Sequence, residues 1–182
     1  MLKMTIIATS SQAIPDELHY IGRVQKPQSV MVWAGISVIG RTSLIFVPPG
    51  AKINSISYRK LILEPVLKDL SQSMLSGESF LFQQDGAPAH TSKVTQAWLK
   101  ENIPDFIPKD EWPPYSPDLN PMDYSIWSIL ETKACAKAHT NVESLKVSLR
   151  REWAKVPQET LRAAVEAFPR RLKAVIEKRE GI

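Results

Sequence analysis

Two aspartates are the residues of this sequence best placed to do chemistry. Asp85 follows the run Phe80-Leu81-Phe82-Gln83-Gln84 and precedes Gly86-Ala87-Pro88, while Asp123 follows Asn120-Pro121-Met122. The first pattern predicts a short buried strand whose carboxylate emerges at its C-terminal end, the end at which open α/β sheets gather their ligands. In the second, a proline opens a helix and Asp123 falls in its first turn. Carboxylates carried to one place by different elements suit Mg²⁺ (or Mn²⁺), hard cations that prefer oxygen ligands. Such a site fits phosphodiester displacement, in which two metals about 3.5–4 Å apart stabilise the attacking and leaving oxygens. The plain alternatives are turn or cap chemistry for Asp85 and a favourable helix-dipole interaction for Asp123.

The elements that must position these residues are legible from pattern. Val30 to Ser37 and Thr42 to Val47 are apolar, β-branched runs across a turn containing Gly40, which predicts a β-hairpin. Pro48-Pro49-Gly50 ends it, and Asn54 or Ser55 can cap a helix with Tyr58, Leu61, Ile62, Val66 and Leu70 at helical spacing, bent or ended by Pro65. After Asp85, Thr91 or Ser92 can cap a helix presenting Val94, Ala97 and Trp98, and Asp105-Phe106-Ile107 is a brief strand candidate. Pro108, Pro113, Pro114, Pro117 and Pro121 exclude regular structure between them.

From Asp123 onward the reading is helical. Tyr124, Ile126, Trp127 and Leu130 form one apolar set; Val142, Leu145, Leu149 and Trp153 form another behind an Asn141 cap. Pro157 starts a third helix with Leu161, Ala164, Val165 and Phe168, and Pro169 should break it before a last turn or two. Residues 1–28 offer only a short strand around Thr5 to Ala8. The order of elements gives an α/β class with a mixed sheet flanked by helices and a helical C-terminal region.

Composition bounds the function. The chain has 182 residues, enough for one domain with a real core, and 43% hydrophobic against 23% charged residues argues against wholesale disorder. A net charge of +4 leans towards a polyanionic partner. Cys135 is the only cysteine, so one chain can build neither a disulfide framework nor a thiolate zinc site. No apolar run is long enough for a membrane-spanning helix, so no membrane partner is expected. The N-terminal stretch is too short and too interrupted for a signal peptide, which gives an intracellular reading.

Phe82-Gln83-Gln84-Asp85-Gly86-Ala87-Pro88-Ala89-His90-Thr91-Ser92 and Tyr115-Ser116-Pro117-Asp118-Leu119-Asn120-Pro121-Met122-Asp123 resemble the second and third acidic motifs of the mariner-family (Tc/mariner) DDE/D transposases. Val30-Met31-Val32-Trp33 resembles that family's second core strand, and Arg170 to Ile176 its C-terminal helix. The resemblance implies a ribonuclease-H-like fold and a site that cuts DNA and joins its 3′ ends with two divalent metals. It makes Asp85 the ligand shared by both metals and Asp123 a ligand of one, with transposon-end DNA as partner, a homodimer as assembly and the nucleus as location.

The departure from the family shapes the expectation further. The family's first catalytic aspartate lies on a strand before the hairpin, and nothing here matches that strand; Asp16 and Glu17 sit in a polar stretch without an apolar lead-in. The expected organisation is therefore a poorly matching segment over 1–28 and a partial catalytic domain over 29–182, lacking the first core strand and the DNA-binding N-terminal domain. Such a fragment should be inactive alone; the alternative is a repurposed, non-catalytic nucleic-acid-binding or protein-interaction protein. His90 reads as a capping or packing residue or as one that places backbone or DNA. Asp118 reads as a loop residue making an Asx-type turn. Trp33, Trp98, Trp127 and Trp153 read as core, and Arg170, Arg171, Lys173, Lys178 and Arg179 as a solvated face.

Overall fold

A computed structural model describes residues 2–5, 29–69 and 80–180. Among the described residues the sheet has three antiparallel strands in the order β1 (Leu2–Thr5), β2 (Ser29–Trp33) and β3 (Ile45–Phe46). The expected hairpin is present, with Val32 opposite Phe46 and Trp33 opposite Ile45, and a bridge from Ile36 to Arg41 closes its turn. β1 lies on the other edge of β2, from Leu2 opposite Val32 to Thr5 opposite Ser29. This described strand shares Thr5 with the expected Thr5 to Ala8, whose other residues lie outside the described ones, and the sheet includes four residues of the poorly matching N-terminal segment. Asp16, Glu17 and the rest of 6–28 lie outside the described residues, as does Leu70.

Alternation along β2 gives the sheet two apolar faces. Val30, Val32 and Ala34 pack with Phe46 against the C-terminal helices, around Ile126, Leu130, Leu145, Leu149 and Leu161. Trp33 and Ile45 face the opposite way, towards Tyr58, Ile62, Val66 and Leu99. Helices therefore cover both faces. Trp127 and Trp153 are buried and Trp33 and Trp98 half-buried within these clusters, as core residues.

The first helical stretch runs through α1 (Ser55–Tyr58), a π-helical turn (Arg59–Leu63) and α2 (Glu64–Asp69). Asn54 caps it in a reciprocal box with Ser57. Pro65 neither ends nor halves it, because the π turn directly before the proline changes the hydrogen-bond register where its missing N–H would interrupt the ladder. Leu61, expected on the apolar face, is displaced to the surface in that turn.

Pro88 opens the one-turn α3 (Pro88–Thr91), and Ser92 caps α4 (Lys93–Asn102) by accepting from Thr95 N. The buried face of α4 is Thr95, Trp98 and Leu99; Val94 and Ala97 are exposed. Thr95 is polar and carries no local sign of burial, but its hydroxyl is bound to Ala89 O at 2.6 Å, so it enters the interior satisfied.

The Phe80 to Gln84 run is extended, and among the described residues its ladder is one parallel bridge between Phe82 and Phe106. Phe82 N donates to Asp105 O at 2.9 Å and Ile107 N to Phe82 O at 3.0 Å, so the Asp105-Phe106-Ile107 segment pairs as expected. The proline-rich segment is irregular except for one 3-10 turn, Pro117–Leu119. A π-helical turn, Met122–Ile126, then leads into α5 (Trp127–Ala134), with Cys135 as its exposed C-cap.

α6 (Val142–Lys155) has the expected Asn141 cap, completed by Ser144. Trp153 Nε1 donates to Thr42 O at 2.8 Å and ties this helix to the hairpin. α7 (Gln158–Glu166) follows Pro157, and α8 (Phe168–Glu180) is far longer than the expected turn or two. Pro169 lies at the start of α8, where its missing N–H has no helical acceptor to lose, so it initiates rather than breaks. Among the described residues no helix is long and apolar enough to cross a membrane.

Candidate nucleic-acid-processing site

Asp85 emerges where the Phe80 to Gln84 run ends. The chain turns at Gly86-Ala87, and Ala87 N donates to Asp85 Oδ1 at 3.1 Å, an Asx-type contact across two residues. The turn of α3 then brings His90 back, with Nδ1 at 2.5 Å from Asp85 Oδ1 and 3.2 Å from the Asp85 carbonyl. Both neighbours are acceptors, so Nδ1 carries the proton. The ring is 3% exposed and tilts against Tyr58 with centroids 4.1 Å apart. Tyr58 OH donates to Gln84 Oε1 at 3.0 Å, and Gln84 Nε2 donates to His90 O at 3.2 Å. A closed set of Tyr58, Gln84 and His90 therefore holds the carboxylate from behind.

Asp123 is held differently. Asn120 accepts Met122 N on its Oδ1 at 3.2 Å, its carbonyl receives Asp123 N and Tyr124 N, and its Nδ2 donates to Asp123 Oδ2 at 2.8 Å. One asparagine before the helix-opening proline thus caps the turn and steers the carboxylate. Arg171 from α8 stacks over Tyr124 at 3.9 Å and donates to Asp118 O at 3.2 Å, bracing the loop from outside. Arg171 therefore belongs to a structural clamp rather than to the expected solvated face. Asp118 sits in the 3-10 turn, and its backbone carbonyl carries its contact with α8.

The two motifs meet. Gln83 Nε2 reaches Leu119 O at 3.4 Å, and Asp85, Asn120, Pro121 and Met122 line one cavity of about 210 Å³ together with Tyr58 and residues of the hairpin. The surroundings of the two aspartates push their carboxyls in opposite directions. For Asp85, burial pushes the carboxyl up, but the hydrogen bond and charge of His90 and the Ala87 N–H outweigh it, holding the group well below the usual carboxylate range. Asp123 is raised, first by burial and further by the charge of Asp85, against the Asn120 hydrogen bond. The same burial and the Asp85 charge push the Tyr58 phenol far upwards, so it serves as a neutral donor.

Two carboxylates are donors of the kind a hard divalent cation takes. Among the described residues no group of three or more acidic, histidine or cysteine side chains could hold a metal ion. The residues to which the sequence assigns no definite role are His90 and Asn120. Their signals are local: a proline-initiated turn returns His90 to Asp85, and an asparagine before a helix-opening proline takes the cap.

No protein-family model matches the chain. It is 32% identical over 152 residues to the transposable element Tcb2 transposase of Caenorhabditis briggsae, covering 82% of this chain and 52% of that protein. The chain thus spans about half the length of the transposases it matches. Its structure superposes on the Mos1 transposase catalytic domain bound to raltegravir and Mn with a TM-score of 0.72 and 21% identity, over 80% of this chain and 73% of that one. A Mos1 transposase paired-end complex with left transposon end gives 0.71 and 20%, over 94% and 52%. By sequence the chain is a homologue of the Tc1/mariner-family transposases, and its fold is that of the ribonuclease-H-like catalytic domain of this family.

Proposed function

We propose that this chain supplies the Asp85 and Asp123 portion of a DNA-cutting and strand-joining transposase site and that these 182 residues by themselves do not cut DNA. The observation that carries the reading is that the segment bearing Asp85 meets the Leu119-Asn120-Pro121-Met122 segment leading into Asp123, through the Gln83 contact with Leu119 O and a shared cavity. Bound there, Mg²⁺ or Mn²⁺ would stabilise negative charge on the oxygens of a phosphodiester undergoing in-line displacement. Asp85, kept ionised by His90 and Ala87 N–H, is the standing ligand. Asp123, steered by Asn120, is the second.

Two aspartates bring two negative charges, whereas a two-metal centre carries four positive ones, so these ligands hold one ion weakly and a pair not at all. Residues 29–182 form the catalytic-domain portion in this reading, transposon-end DNA is the substrate of the intact enzyme, a homodimer is its assembly and the nucleus its location.

The test incubates the purified chain with supercoiled plasmid and Mg²⁺ or Mn²⁺, beside Asp85→Ala and Asp123→Ala, and measures Mn²⁺ binding by electron paramagnetic resonance. The expected result is no nicking, with weak Mn²⁺ binding that both substitutions abolish. Nicking by the parent that both variants lose would overturn the inactivity. Mn²⁺ binding indifferent to both substitutions would overturn the site.

A further inference from the structure

We propose that the basic hollow at the corner between α5 and α6 is a phosphate-binding site that takes a backbone phosphate of nucleic acid; that source of the phosphate rests on the DNA reading above. The hollow has a volume of about 300 Å³ and is lined by Lys133, Lys137, His139, Ser144, Ser148 and Arg151, and no acidic side chain lines it. Lys133 and Lys137 have no ion-pair partner among the described residues. Arg151 spends part of its charge on Glu152, at 2.8 Å from Nε, while its Nη2 reaches across to Ser148 Oγ at 3.3 Å on the wall.

The floor is prepared for an anion. Left bare, the carbonyl of Ala134 at the end of α5 would repel one. Instead it accepts His139 Nε2 at 2.7 Å and Ser148 Oγ at 3.1 Å, so its lone pairs face donors. Ser144 Oγ is committed to the α6 cap through Asn141 O at 2.8 Å. Binding in the hollow therefore falls to the cations. Cations gathered in a concavity focus the local potential and concentrate counter-anions. A lysine in the last turn of a helix ordinarily complements the helix dipole, which accounts for Lys133 but not for Lys137, which lies beyond the end of α5.

Position favours a nucleic-acid phosphate. Asp123 and Lys133 lie on one continuous helical stretch ten residues apart, about 15 Å at 1.5 Å per residue. At 3.4 Å per base pair, a duplex seated at the aspartates would reach the hollow about four to five base pairs away.

The experiment measures affinity of the purified chain for a short mixed-sequence duplex across a NaCl series, by fluorescence anisotropy. Lys133→Gln/Lys137→Gln is compared with Lys60→Gln/Lys100→Gln, which removes the same charge from exposed positions on the opposite side of the sheet; all variants are checked for parent-like circular dichroism and Tm. Removing one cation from a DNA phosphate should flatten the log–log salt slope by about 0.9, so the first pair should flatten it by roughly 1.8 and the control pair should leave it unchanged. Duplex binding with the same slope in both pairs overturns this inference and leaves the DNA reading standing, whereas no duplex binding by the parent overturns both. A parallel arm compares Tm in inorganic phosphate and in chloride of matched ionic strength. A phosphate-specific rise that the Lys133→Gln/Lys137→Gln variant loses, with no slope change, assigns the hollow to free phosphate and overturns the nucleic-acid assignment.

Discussion

Replacing His90 by phenylalanine tests the electrostatic arrangement at Asp85 with little change of shape. The ring is buried and tilted against Tyr58, so phenylalanine keeps the packing and removes the proton that Nδ1 donates to Asp85 Oδ1 at 2.5 Å. A hydrogen bond to a charged group contributes about 1.5–3 kcal/mol, and Asp85 is only 26% exposed, so water compensates little. The expected loss is about 2 kcal/mol, which for a chain of this size lowers Tm by roughly 4–8 °C.

The control is the same substitution in an Asp85→Asn background, where the cost should fall by at least about 1 kcal/mol because no carboxylate is left to strand. Chemical denaturation of the four proteins closes the cycle. An equal cost in both backgrounds would refute the reasoning, since His90 would then act through packing alone. The pH signature follows from the direction of the shift. Asp85 has a depressed folded pKa, so its stabilisation is complete above the ~3.9 of an unfolded aspartate and is lost as acid titrates the folded carboxylate below that. The parent should therefore lose stability towards low pH more steeply than Asp85→Asn does.

Asp123 has the opposite sign: its raised pKa means that the charged form is disfavoured by folding at neutral pH, a penalty relieved as pH falls through the folded pKa. Asp123→Asn, which can still accept from Asn120, should raise Tm by roughly 1–2 °C at pH 7, lose that advantage in acid and weaken Mn²⁺ binding; an unchanged or lower Tm at pH 7 in calorimetry would count against it. Arg171→Ala removes a cation–π contact and a hydrogen bond, together about 1–2 kcal/mol, and should loosen the Asp118–Asp123 loop. Hydrogen exchange should quicken at Leu119 and Asn120, whose amides donate to Ser116 O and Pro117 O, and Arg171→Lys should rescue only in part because an ammonium lacks the planar stacking face; unchanged exchange would refute the clamp.

The contrast between what the sequence discloses and what it hides follows from the range of the interactions. The Asn54 and Asn141 caps, the hairpin across Gly40 and the helix-opening role of Pro121 are legible because each is closed by residues within a few positions. The local placement of both aspartates, Asp85 at the end of an extended run and Asp123 in the first turn after a proline, is legible for the same reason. Pro65 and Pro169 read as breaks and are not, because a proline states only which hydrogen bond is absent. Whether the chain breaks, shifts register through a π turn or begins a new helix depends on what packs around it. Thr95 and Arg171 escape the pattern because polarity in the sequence signals exposure only until a distant partner is known: Ala89 O for the hydroxyl, the Tyr124 ring for the guanidinium. The electrostatic difference between the aspartates is hidden for that reason too. Identical carboxyls are pushed in opposite directions, Asp85 down by the hydrogen bond and charge of His90 against its burial, Asp123 up by burial first and by the charge of Asp85 after it, and none of these partners lies next to either aspartate in the sequence.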